Sequence, residues 1–101
     1  MTKLEKEIER KLVNMVKRYG GHCLKWVCPG WSGVPDRLVL LPGGRVYFVE
    51  TKRPKGGRLS PLQYKWYQWL TELGFPCRVV WTDDDVAAFE ERIKGDLGLN
   101  K

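Results

Sequence analysis

The chain lacks any apolar run approaching the roughly 20 residues that span a bilayer, so a membrane-spanning helix is not expected. Its first residues, Met1-Thr2-Lys3-Leu4-Glu5, carry too much charge for a signal peptide. Both absences point to a soluble, intracellular, cytoplasmic protein. Cysteine is sparse. Cys23, Cys28 and Cys77 leave one thiol unpaired, which disfavours a disulfide framework. His22 and Cys23 near Cys28 match none of the common zinc spacings, and no fourth ligand is evident. The thiols therefore read as small hydrophobes. Internal repeats, linkers and low-complexity segments are missing too. The 101 residues make one domain, 1–101, with a modest core and a tail expected to fray from about residue 95.

Acidic residues are scarce in the middle of the chain. Between Arg37 and Lys65 there are seven cations, Arg37, Arg45, Lys52, Arg53, Lys55, Arg58 and Lys65, and one acid, Glu50. That surplus equals the net charge of the whole chain, +6. The C-terminal part is acidic instead, with Asp83-Asp84-Asp85 and Glu90-Glu91. A lysine-rich solvated surface would explain a charge run alone. A basic block around acids fits a polyanionic partner, nucleic acid, better.

What is present is a folded globule, with 43% hydrophobic residues and five tryptophans. Leu4, Ile8, Leu12, Met15, Val16 and Tyr19 recur at helical spacing over residues 3–19. Thr2 and Glu5 offer a capping box, and Gly20-Gly21 a stop. Cys23 to Val27 reads as a strand and residues 28–35 as loop. Arg37 to Leu41 is a strand apolar on both faces. Pro42-Gly43-Gly44 turns the chain into a third strand, Arg45 to Lys52, with Val46, Phe48, Glu50 and Lys52 on one face. Ser60 caps a second helix with Pro61 first, and Leu62, Trp66, Trp69, Leu70 and Leu73 as its core stripe. Trp26 and Trp81 are expected in the core as well. Cys77 to Trp81 is a fourth strand, and Thr82 or Asp83 caps a last helix carrying Val86, Phe89 and Ile93. The order is αβββαβα, an α/β fold with a small mixed sheet flanked by helices.

The hairpin turn brings Asp36 and Glu50 toward the same end of one ribbon, with Lys52 two residues along. Taken singly, Asp36 is an ordinary turn residue, and Glu50 with Lys52 an ordinary strand ion pair. Taken together, two acids that repel unless a cation sits between them, beside a lysine, suit phosphodiester cleavage. The acids can share magnesium, which uses one or two protein carboxylates and keeps several waters. Lys52 can hold a phosphate oxygen or orient the water. In the first helix, Glu5 or Glu9 could reach over the sheet as a further ligand, while Glu7 lies on the lysine side. Gln63 opens the second helix, where its amide could bond a metal water or a phosphate. Lys55, Arg58 and Lys65 suit contacts to the DNA backbone, and Arg37 and Arg53 join them in the basic block. Trp31 is a core anchor or a stacking surface for an unpaired base.

Gly33-Val34-Pro35-Asp36-Arg37, Val49-Glu50-Thr51-Lys52 and Leu59-Ser60-Pro61-Leu62-Gln63 resemble the VRR-NUC domain of the PD-(D/E)xK nuclease superfamily. The resemblance runs from Glu5 to about Val86, although the Val-Arg-Arg tripeptide behind the name is absent. It implies a restriction-endonuclease-like fold. It also implies Mg2+ or Mn2+ on Asp36, Glu50 and the Thr51 carbonyl, a catalytic Lys52, and a role for Gln63, with no small-molecule cofactor. Ile8 to Val13 is similar to the opening helix of archaeal Holliday junction resolvases, which favours Glu9 over Glu5 as the third acid. The chain looks like the phage or prophage type. That implies a homodimeric endonuclease acting on branched DNA such as four-way junctions. The rival readings are a non-catalytic binder of branched or single-stranded nucleic acid, and a dimerising adaptor whose acidic last helix docks a protein.

Overall fold

The computed structural model describes residues 3–99. Along the chain run α1 (Lys3–Arg18), β1 (His22–Lys25), β2 (Arg37–Leu41), β3 (Arg45–Thr51), α2 (Pro61–Glu72), β4 (Cys77–Val80) and α3 (Asp83–Asp96). This is the αβββαβα order expected from the sequence. The Thr2 cap lies outside the described residues. α1 ends where Gly20 turns left-handed (φ +81°) and the Gly21 N–H donates to the Val16 carbonyl at 3.1 Å. Ser60 caps α2, and Thr82 rather than Asp83 caps α3; each forms a reciprocal capping box, with Gln63 and Asp85 respectively.

The sheet order is β1-β2-β3-β4. The first three strands are antiparallel. Leu41 pairs with Arg45 across the Pro42-Gly43-Gly44 turn, and Arg37 pairs with Val49 at the far end. β4 runs parallel to β3, with Glu50 opposite Val79. A parallel pair needs a crossover, and α2 supplies it. Odd-numbered β2 and β3 residues Val39, Leu41, Tyr47 and Val49 join Ile8, Leu12, Met15 and Val16 of α1 and Val86, Phe89 and Ile93 of α3 in the main core. Even-numbered residues face the other way, where Phe48 meets Trp26 (centroids 5.0 Å apart) and Phe75 (5.4 Å).

Three expectations change. Of the α2 stripe only Leu70 is buried; Leu62, Trp69 and Leu73 are exposed, and Trp66 is half-buried. Trp26 and Trp81 are half-buried rather than core. α2 rests against β4 at one edge of a narrow sheet, and much of its apolar stripe is left exposed. The last helix, expected to fray from about Gly95, continues to Asp96. Asp96 accepts hydrogen bonds from the Tyr47 hydroxyl (2.5 Å) and from Arg92 Nε (2.8 Å), and Leu97 caps the helix against the core.

Candidate active site

Pro35 is buried and fixes the approach of the chain to β2. Asp36 follows it, and its carbonyl accepts from the Trp26 N–H at 2.9 Å. The Arg37–Val49 register then places Asp36 across from Glu50, as the turn predicted. Thr51 holds the Asp36 carboxylate at both oxygens: its N–H donates to Oδ1 at 3.0 Å and its hydroxyl to Oδ2 at 2.6 Å. Sequence reasoning gave Thr51 only a carbonyl. The strand register was the available signal, because it sets residue 51 beside the 36–50 pair.

Glu50 is buried on β3. Burial pushes its carboxyl up to about 7, Asp36 and Glu5 push the same way, and Lys52 opposes them. Lys52 Nζ lies 4.0 Å from Glu50 Oε1, and both side chains are largely shielded from solvent. The pair is therefore not an exposed surface bridge. Lys52 is anchored through its own N–H to the Val80 carbonyl at 2.9 Å.

The first-helix acids divide. Glu9 is buried and paired with the Arg37 guanidinium. Arg37 is an odd-numbered strand residue on the α1 side of the sheet, opposite to the side from which Glu50 projects. Glu9, which the sequence favoured as the third acid, thus has its carboxylate engaged by Arg37. Glu5, one turn earlier, is the acid whose charge reaches Glu50. The Arg37 side chain, expected among the DNA contacts, is 11% exposed and committed to Glu9 and the Cys23 carbonyl. Gln63 is drawn into the helix cap: its Oε1 accepts from the Ser60 N–H at 2.8 Å, and its own N–H donates to Ser60 Oγ at 3.1 Å.

Arg53, Lys55, Arg58 and Lys65 are all exposed. Trp31 is 63% exposed, with its ring edge-on to Trp66 at 5.9 Å. Its loop is seated on α2, where Trp66 Nε1 donates to the Ser32 carbonyl at 3.0 Å. Gly33 (φ +85°) lies so close that a Cβ there would stand 2.7 Å from Leu62 Cγ. A glycine is therefore required between Trp31 and Asp36.

Asp36, Glu50, Glu5 and the Thr51 carbonyl are hard oxygen donors of the kind magnesium and manganese take. Among the described residues no three His, Cys, Asp or Glu are gathered closely enough to form a metal cluster by themselves. An acid pair fits an ion that keeps most of its waters. No described helix is long and apolar enough to cross a membrane.

A small αβββαβα sheet with an acid pair and a strand-borne lysine at one end defines a PD-(D/E)xK-type nuclease domain. The chain belongs to the VRR-NUC domain family, whose profile matches residues 3–83. It is 44% identical over 80 residues to "Putative nuclease p44" of Acyrthosiphon pisum secondary endosymbiont phage 1, covering 79% of this chain and 85% of that protein. It is also similar to a solved structure titled "VRR_NUC domain". That likeness has a TM-score of 0.83 and 28% identity, and covers 89% of this chain and 97% of the other.

Proposed function

We propose that this nuclease is a metal-dependent endonuclease that hydrolyses phosphodiester bonds in branched DNA, four-way junctions in particular, as a homodimer. The observation that carries the reading is the meeting of Asp36, Glu50 and Lys52 in one sheltered corner of the sheet. The name of the phage relative supports nuclease chemistry. Asp36, Glu50, Glu5 and the Thr51 carbonyl would hold Mg2+ or Mn2+. When bound, such an ion supplies Lewis-acid stabilisation and a water of lowered pKa. Thr51 keeps the Asp36 carboxylate aimed. Glu50 would be ionised with the ion bound, the cation offsetting the repulsion between the two acids. The Lys52 ammonium holds a non-bridging oxygen of the scissile phosphate and stabilises charge that develops there. Gln63 contributes by fixing the start of α2.

Arg53, Lys55, Arg58 and Lys65 take the DNA backbone. The exposed face of Trp31 suits an unpaired base at a branch point. Exposed Leu62, Trp69, Leu73 and Phe75 form the kind of apolar surface that a second copy would cover. A two-fold dimer supplies two sites for two symmetric cuts. The place of action would be the cytoplasm of a bacterial host.

A panel of labelled junction, flap, fork and duplex with Mg2+ or Mn2+ tests this. The junction is cut fastest, chelator stops cutting, and Lys52→Ala lowers the rate by about 100-fold or more. Tight junction binding by wild type without nicking in either metal would replace this reading with a non-catalytic binding module.

A further inference from the structure

The Arg37 side chain joins three elements although it neither faces solvent nor enters the acid pair. From β2 its Nη1 donates to the Cys23 carbonyl of β1 at 3.2 Å, and its Nη2 pairs with Glu9 of α1. The two side chains are 11% and 8% exposed. Arg37 Nε is buried without a hydrogen-bond partner. A buried ion pair with an orphaned donor is a poor way to gain stability, because apolar residues of similar volume do as well or better. Its use is geometric: a fork that must reach a fixed carbonyl and a fixed carboxylate sets both the rotation and the height of a helix.

We propose that Glu9 and Arg37 are a positioning pair, which registers α1 on the sheet so that Glu5 reaches the acid site, and that Glu9 is not a ligand. Glu5 lies four residues before Glu9, hence on the same side of α1 and one turn nearer the helix start. Arg37 directly follows Asp36 in the chain. One anchor therefore fixes the helix that carries Glu5 and the backbone that carries Asp36. The proposal rests on the reading of Glu5 as a metal ligand.

Mn2+ titration of the DNA-free protein, by calorimetry or by electron paramagnetic resonance, tests the pair without relying on activity. Thermal melts run alongside. Glu5→Gln should weaken Mn2+ binding by about tenfold or more, as should the apolar double variant Glu9→Leu/Arg37→Met, which should melt at or above wild type. Glu9→Gln keeps a neutral partner for Arg37 and should stay within about threefold of wild type. This variant also covers the case in which the double variant does not fold. Wild-type Mn2+ affinity in a folded double variant would make the pair merely structural and overturn the proposal. So would a loss in Glu9→Gln as large as in Glu5→Gln, because Glu9 would then be a ligand. Unchanged affinity in Glu5→Gln is a different failure: it removes the metal reading of Glu5 itself.

Discussion

Thr51 stands between Glu50 and Lys52 in the chain and holds the Asp36 carboxylate at both oxygens. A carboxylate with one lone pair on each oxygen so occupied cannot swing, and aimed ligands bind metal better. Thr51→Ser keeps the hydroxyl and should cut DNA at close to the wild-type rate. Thr51→Val keeps the shape and should lose about 10- to 100-fold in kcat/KM. Wild-type activity in the valine variant would remove the orienting role. Glu50 makes a second claim at this scale. Its folded-state pKa is raised from 4.5 to about 7. The native state therefore holds a proton that the unfolded chain has released. That contribution is full below the unfolded value and disappears as pH rises through about 7. Melts of the metal-free protein should show Glu50→Gln equal to wild type near pH 4 and higher near pH 8. Metal affinity should rise through about pH 7, because loading requires the ionised carboxylate. A Tm difference independent of pH would contradict the assignment.

At the scale of elements, what was legible in the sequence was what local chemistry fixes. Gly20-Gly21, Ser60-Pro61 and Thr82 mark helix ends, and Pro42-Gly43-Gly44 marks the turn. That turn sets the strand register, and the register alone brings Asp36 to Glu50 and Lys52. Elements whose environment is set from afar were not legible. Glu5 and Glu9 share one helical side, and Arg37, 28 residues beyond Glu9, decides which of them is tied to the sheet. The α2 stripe has a clear period, but a period reports amphipathicity and not whether the chain supplies a partner. Gln63 looked catalytic by position, yet it closes a capping box. Ser60→Ala and Gln63→Ala should each destabilise α2, by about 1 kcal/mol for the serine, while the folded protein keeps cutting. Loss of cleavage in Gln63→Ala without any change in melting would return the residue to the chemistry.

At the scale of the whole molecule, charge and apolar surface fall to different parts. Arg53, Lys55 and Arg58 lie on the loop after β3, and the acids of α3 lie at the other end of the chain. The apolar surplus lies on α2 and just beyond it, where Leu73 is 72% exposed. A second copy there would leave the basic loops free for DNA. Light scattering should find a dimer for wild type and a monomer for Leu73→Asp. A wild-type monomer at high concentration would remove the dimer. The central claim concerns the acid pair, and it has a direct measurement: single-turnover cleavage of a labelled four-way junction in Mg2+ by wild type and Asp36→Asn, with binding measured in parallel. The account predicts that Asp36→Asn folds and binds the junction but does not cut it. Cleavage by purified Asp36→Asn at the wild-type rate would contradict it.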